Sequence, residues 1–324
     1  MKTAKPGVPV AVGKIQGRGN HLAGVCVYLI DTQSKENAMS NRNVLKTNGI
    51  AIATLLFVGL ALTACIVVAS DGRMDFRPGR DYKENFQKSF PLGPDGRFSI
   101  RNVNGYVHVS TWDKAEVEIK AEKIAKRNEE DLQKVKIETE ARTGFVGVET
   151  VYPKTSIFRN IRVEVNYEIK VPEGMTLDEV RSTNGDVTLN GRYGTVKAGT
   201  TNGDILVSGA AGRADLSTTN GDIDASGLGG PVDAHTTNGG IKLALLGKEN
   251  DIRARTTNGS IFLRTGGDIN ARLEAHTTNG HIECDIPITI RNLTKSRRTL
   301  EGTIGSGGPL VYLGATNGSI TIGR

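Results

Sequence analysis

Three sets of side chains in this sequence have the types and spacing to do chemistry. His235 and His276 occupy equivalent places in a repeating pattern and offer imidazole nitrogens of the kind that bind transition metals. Cys284 offers a thiol, a nucleophile when ionised. Asp186, Asp204 and Asp222 each stand two places beyond an asparagine and are evenly spaced along the chain. They predict a ladder of carboxylates, the hard oxygen donors that suit Ca²⁺. Whether any of these groups meet depends on the elements that carry them.

Those elements repeat. Asn-Gly preceded by Thr recurs at Asn184-Gly185, Asn202-Gly203, Asn220-Gly221, Asn238-Gly239, Asn258-Gly259, Asn279-Gly280 and Asn317-Gly318. The first four corners are evenly spaced, the next two intervals are slightly longer, and the last is about double. That last interval predicts two periods with a divergent copy between. Asn104-Gly105 is an earlier relative. A fixed period of roughly 20 residues predicts stacked supersecondary units. Counting from each Asn, positions −6, −4, +3 and +5 are apolar, as in Val232, Ala234, Ile241 and Leu243. Positions −5, −3 and +4 carry Asp233, His235 and Lys242 in the same unit. This alternation predicts two short strands per unit, each with one wet face, joined at a corner where Gly and Asn supply positive φ.

Parity alone does not separate a solenoid from a row of Asn-Gly hairpins, because both place −4 and +5 on one face. No single unit has enough core to stand alone, so neighbours must share interior and backbone hydrogen bonds. In such a stack His235 and His276 are two coils apart with Arg255 between, at roughly 10 Å, too far to share one ion. They read as exposed polar residues. Cys284 sits at +5, where other units have Leu, Val, Ala or Ile, and reads as a buried apolar residue. Asp186, Asp204 and Asp222 are weak metal candidates, because Asp beside an Asn-Gly turn commonly accepts backbone N–H groups. No other metal site and no cofactor is expected. Trp112 is the sole tryptophan and no aromatic residue recurs at one repeat position, so the aromatic platform of a sugar-cleaving groove is not visible.

Composition agrees with a turn-rich all-β chain: 40 glycines in 324 residues, without a collagen period, and only 5% aromatic residues. Three cysteines do not make a disulfide framework. The net charge of +6 lies almost wholly before Asp71, where seven Lys/Arg against two acids give +5 and leave +1 for the remainder. A balanced body gives no electrostatic reason to bind nucleic acid. The segment from Gly49 to Ala69 is an apolar run without a charge, preceded by Arg42 and Lys46. That run is long enough to span a bilayer and, by the positive-inside rule, exports everything after it. Within it, Leu62-Thr63-Ala64-Cys65 resembles the bacterial lipobox, which makes Cys65 a candidate for lipidation. A lipid anchor at Cys65, an uncleaved single helix and cleavage near Ser70 all remain open, and all export the body. The expected organisation is therefore a tail over 1–48, whose start is possible at Met39, a signal or anchor segment over 49–69, a linker over 70–94 and a β domain over 95–324. Between Ser110 and Val171 longer strands and a short helix after Asn128 predict an elaborated end of the same sheet system.

The tandem TTNGDI units, the opening NVNGYVHVSTWD, the Val171-Pro172-Glu173-Gly174 segment and the closing LGATNGSITI resemble the bacterial adhesin-like β-solenoid family of uncharacterised function. The resemblance spans about residues 95 to 324. It implies a β-helix-like extracytoplasmic domain and brings no catalytic motif. The resulting expectation is a membrane-anchored, periplasmic or cell-surface module that binds an envelope or extracellular polymer or protein, or has a structural role, without catalysis. An accessory role in envelope-stress signalling is the alternative. A polysaccharide-active enzyme is the third reading.

Overall fold

The computed structural model describes residues 81–153, 161–247, 250–289 and 296–324. The segment 49–69 and Cys65 lie outside the described residues. Among the described residues no helix is long and apolar enough to cross a membrane.

The units stack as a β-solenoid. Each contributes one strand before its Asn-Gly corner to a 12-stranded sheet and one strand after it to an 11-stranded sheet. The pairings between units are parallel, which settles the choice left open by parity, since hairpins require antiparallel neighbours. In the first sheet Val107, Val187, Ile205, Ile223, Ile241, Ile261, Ile320 and Ile282 lie side by side. In the second, Val196, Ala214, Val232, Ile252, Val311 and Leu273 do the same. These two rows face each other in a single continuous core. The period-2 alternation holds because a one-residue slip would turn every apolar side chain into solvent.

Two corrections to the sequence reading concern the ends. Residues 82–91, inside the expected 70–94 linker, form the strand Tyr82–Pro91, which pairs antiparallel with Glu116–Ala125 along its whole length. Tyr82, Phe86 and Phe90 pack against the core, so the alternating apolar residues in this stretch mark a strand. With Val163–Pro172 these strands continue the first sheet beyond Val107–Trp112. The second sheet ends on Phe145–Val151 and the charged edge strand Lys136–Arg142, a sequence type that discourages edge-to-edge association. A short helix, Glu130–Lys134, packs near this end.

At the other end the coils do not stack in chain order. The strand Leu310–Asn317 lies between Ile252–Asn258 and Ala271–Asn279, and Ile320–Gly323 lies between Ile261–Thr265 and Ile282–Cys284. The last coil is thus inserted between its two predecessors. The expected divergent copy between Asn279 and Asn317 is instead an outer strand, Thr299–Ile304, running antiparallel to Ala271–Asn279. That reversal brings the chain back to the start of the Ala271 strand. A turn through Gly305 (φ 59°) and Gly307 (φ 83°) then drops it into the slot, where Ser306 N–H donates to Asn270 Oδ1 and Leu310 N–H to Asp251 Oδ1.

Candidate functional site

The Asn-Gly corners form one continuous edge of the stack. Asparagine side chains join through amide hydrogen bonds in the spatial order 104, 184, 202, 220, 238, 258, 317 and 279. Each Nδ2 donates to the preceding Oδ1 at 2.7–2.8 Å. Backbone bonds run the other way: Gly185 N–H donates to Asn202 O, Gly203 N–H to Asn220 O, and Gly259 N–H to Asn317 O. All predicted corner residues therefore come together.

The expected positive φ is found at five corner glycines, and close stacking adds a second demand. At Gly185, Gly203, Gly221, Gly239 and Gly259, φ lies between 149° and 159°, the limit of the region that L residues avoid. A Cβ at any of them would overlap the backbone carbonyl of the neighbouring corner's glycine. Gly280 and Gly318 meet the same obstacle, from Gly318 and Gly259 respectively. Close stacking is thus the common demand at all seven corners.

Beneath the asparagines lies a second ladder that the sequence reading missed. Thr200, Thr218, Thr236, Thr256 and Thr277, at position −2, are buried. Their hydroxyls donate to Gly185, Gly203, Gly221, Gly239 and Gly318 carbonyls at 2.7–3.0 Å. Ser182 does the same to Gly105 O. The signal was present in the parity: −2 is even with −4 and −6, so the first Thr of each TTNG must point inward, where a hydroxyl needs a partner.

Asp186, Asp204 and Asp222 stack on consecutive coils as predicted. One oxygen of each is already engaged, since Asp186 Oδ1 accepts Asp204 N–H, Asp204 Oδ1 accepts Asp222 N–H, and Asp222 Oδ1 accepts Gly240 N–H at 2.7–2.9 Å. With Asp224, Lys242 and Phe262 they line a shallow groove of about 470 Å³ on the outer face of the first sheet. Among the described residues no three His, Cys, Asp or Glu side chains are grouped to hold a metal ion.

His235 and His276 are three coil steps apart, because the inserted Asn317 coil adds Gly314 between Arg255 and His276. That corrects the predicted two-coil spacing to roughly 14 Å. His276 instead lies 3.8 Å from Glu301 on the outer strand. Cys284 is half-buried and packs on the core, with Sγ 3.7 Å from Ile286 O. Trp112 donates from Nε1 to Glu116 O, and the Lys114 and Lys170 ammonium groups sit 4.7 and 5.4 Å from its ring centre. Its ring is therefore occupied by cation–π contacts.

The buried phenols are structural. Tyr193 donates to Val109 O at 2.7 Å, and Tyr167 shares a 2.7 Å hydrogen bond with Thr150. Burial pushes both phenol pKa values well up, so both stay neutral. The outer faces carry ion pairs such as Arg97–Asp178 and Arg101–Glu179 at 2.7 Å. On the second sheet Lys197, Asp215, Asp233 and His235 form part of another shallow concavity.

Several solved structures share similarity with this chain at low identity. One is named "putative adhesin" and comes from Bacteroides fragilis: 11% identical, covering 74% of this chain and 96% of its own, with a TM-score of 0.38. A "putative cell adhesion protein" from Clostridium sporogenes is 12% identical over 74% of this chain and 99% of its own, with a TM-score of 0.34. A "putative lipid binding protein" from Parabacteroides distasonis is 12% identical over 74% and 96%, with a TM-score of 0.25. No curated protein matches the chain. Residues 173–323, from the Val-Pro-Glu-Gly segment through the inserted last coil, match the family model described as Toastrack DUF4097.

Proposed function

We propose that this protein is an exported, membrane-anchored module that binds or braces a polymer of the bacterial envelope and carries out no catalysis. The observation that carries this reading is the division of labour within each coil. Inward rows hold the same residue types from coil to coil, while the outward row at +4 changes through Thr188, Leu206, Asp224, Lys242 and Phe262. The eight stacked corners extend over roughly 34 Å at about 4.8 Å per step, a length that favours partners with their own repeat. Weak contacts then add along the stack.

Export and anchoring rest on the sequence of residues 42–69, with Cys65 as the lipid attachment point. The engaged Oδ1 atoms of Asp186, Asp204 and Asp222 support the reading of these residues as structural in preference to metal ligands.

The test is binding of the purified protein to isolated envelope polymers, with a variant in which Asp224, Lys242, Arg253 and Arg255 are all replaced by Ala. Retained folding with lost binding is the expected result. Equal binding by both proteins overturns the assignment to these faces. Turnover of a polymer, abolished by replacing one outward Asp or Glu, overturns the non-catalytic reading.

A further inference from the structure

The asparagine ladder has a direction, and its two ends are chemically unequal. Side-chain bonds run from each Nδ2 back to the preceding Oδ1. Backbone bonds run from each corner glycine N–H forward to the next asparagine carbonyl. At the Asn104 end the polarity leaves Oδ1 accepting from Asn184 Nδ2 and Gly105 N–H donating to Asn184 O. At the Asn279 end Nδ2 donates to Asn317 Oδ1, but no further corner follows. Among the described residues Asn279 Oδ1 accepts no hydrogen bond and Gly280 N–H donates none. Arg298 O and Arg297 O, on the outer segment, take up Thr277 N–H and Ile282 N–H, the bonds on either side of the corner.

We infer that Asn279 is a site of spontaneous deamidation, singled out from the otherwise identical Asn-Gly corners by its place at the open end of the ladder. The Gly280 nitrogen loses its proton to base and attacks Asn279 Cγ. The new N–Cγ bond closes a cyclic imide while the Cγ–Nδ2 bond breaks, and Nδ2 takes up one proton, replacing the one the glycine nitrogen gave up to base, to leave as ammonia. Water then opens the ring at one of its two carbonyls, giving aspartate or isoaspartate.

The attack requires the glycine nitrogen to swing toward Cγ. An interior corner is pinned against that motion by its N–H bond to the next coil and by its side-chain amide bonds on both sides, whereas the neighbouring glycine carbonyl packs against interior corners and Gly280 alike. It must open before it reacts, and opening a stacked element has a free-energy cost. At the terminal corner the Asn279 side chain is bonded on one side only and, among the described residues, Gly280 N–H donates to none, although the flanking Thr277 and Ile282 N–H groups are bonded to the outer segment. Asn190-Gly191 is also an Asn-Gly pair, but its strand is paired on both sides, with Asn190 bonded to His108 and Ser208. Asn48-Gly49 lies outside the described residues.

The product alters the stack. An aspartate at 279 has no amide hydrogen to donate to Asn317 Oδ1, and it sets a carboxylate against that carbonyl oxygen, which loosens the terminal coil.

The experiment is incubation of the full-length native protein in mildly alkaline buffer, followed by peptide mapping with mass spectrometry at every corner. A parallel incubation in urea is the control. Expected is loss of Asn279 at least about tenfold faster than each other ladder asparagine, the ratio produced by an opening difference of about 1.4 kcal/mol, with that advantage lost in urea. Asn104 belongs with the slow group. The inference is overturned if another ladder asparagine leads in the native protein, if all corners react alike, or if Asn279 keeps the same lead in urea, where only the following His281 distinguishes it.

Discussion

Replacing Thr236 by Val tests the inner ladder and the assignment of faces at once. Thr236 is fully buried, and its hydroxyl donates to Gly221 O at 3.0 Å. Valine has nearly the same shape, so no cavity opens, and the change removes one hydrogen bond. The half-buried Gly221 carbonyl is then left short of a donor, a loss worth about 1–3 kcal/mol. The added methyl recovers up to about 0.8 kcal/mol of apolar burial. With that recovery in full the net destabilisation is about 0.2–2.2 kcal/mol. With a urea m-value of about 3 kcal/mol/M, the midpoint falls by roughly 0.1–0.7 M while the slope is unchanged. Thr237, the next residue and on the opposite face, is the internal control. Thr237→Val is expected to shift stability by no more than about 0.5 kcal/mol. Urea titration of the wild type and both variants, followed by circular dichroism, decides the matter. Equal shifts for the two positions, or a stabilising Thr236→Val, would refute both the inward direction of the −2 threonines and their role as donors.

Ile223 lies fully buried between Ile205 and Ile241. Ile223→Asp is expected to unfold much of the stack by burying an unpaired charge, whereas Lys242→Ala is expected to move stability by less than about 0.5 kcal/mol; thermal melts of both check the pair. Tyr167 and Tyr193 have folded pKa values above the unfolded value. Their contribution is therefore complete below about pH 10 and falls as pH rises beyond it, because the unfolded chain releases those protons first. Stability of the double variant Tyr167→Phe/Tyr193→Phe should accordingly fall less steeply over that alkaline range in urea titrations. For the anchor, Cys65→Ser is expected to abolish acyl incorporation and change the mature mass. A variant with unaltered mass and unaltered membrane attachment would transfer the anchoring role to the uncleaved helix.

What the sequence by itself determined was the repeating unit. The Thr-Asn-Gly period, the alternation around it and the direction of each side chain follow from strand geometry, which is local: successive residues point to opposite faces wherever the strand lies. Ile223 inward and Lys242 outward were legible for that reason, and so, in principle, was the inward Thr236. The stacking of Asp186, Asp204 and Asp222 was legible too, because equal spacing places equal positions in register. The tertiary structure decided what depends on which strands become neighbours. Parallel stacking over hairpins, the strand at Tyr82–Pro91, and the insertion of the Asn317 coil between those of Asn258 and Asn279 are all pairings across long stretches of chain. The corners are nearly identical, so a coil ending in Asn317 fits against Asn258 as well as one ending in Asn279 does, and the repeat leaves the order of coils undetermined. That order was set by the antiparallel return of Thr299–Ile304 and the glycine turn after it. It separated His235 from His276 by one more step, and it left Asn279, instead of Asn317, at the open end of the ladder.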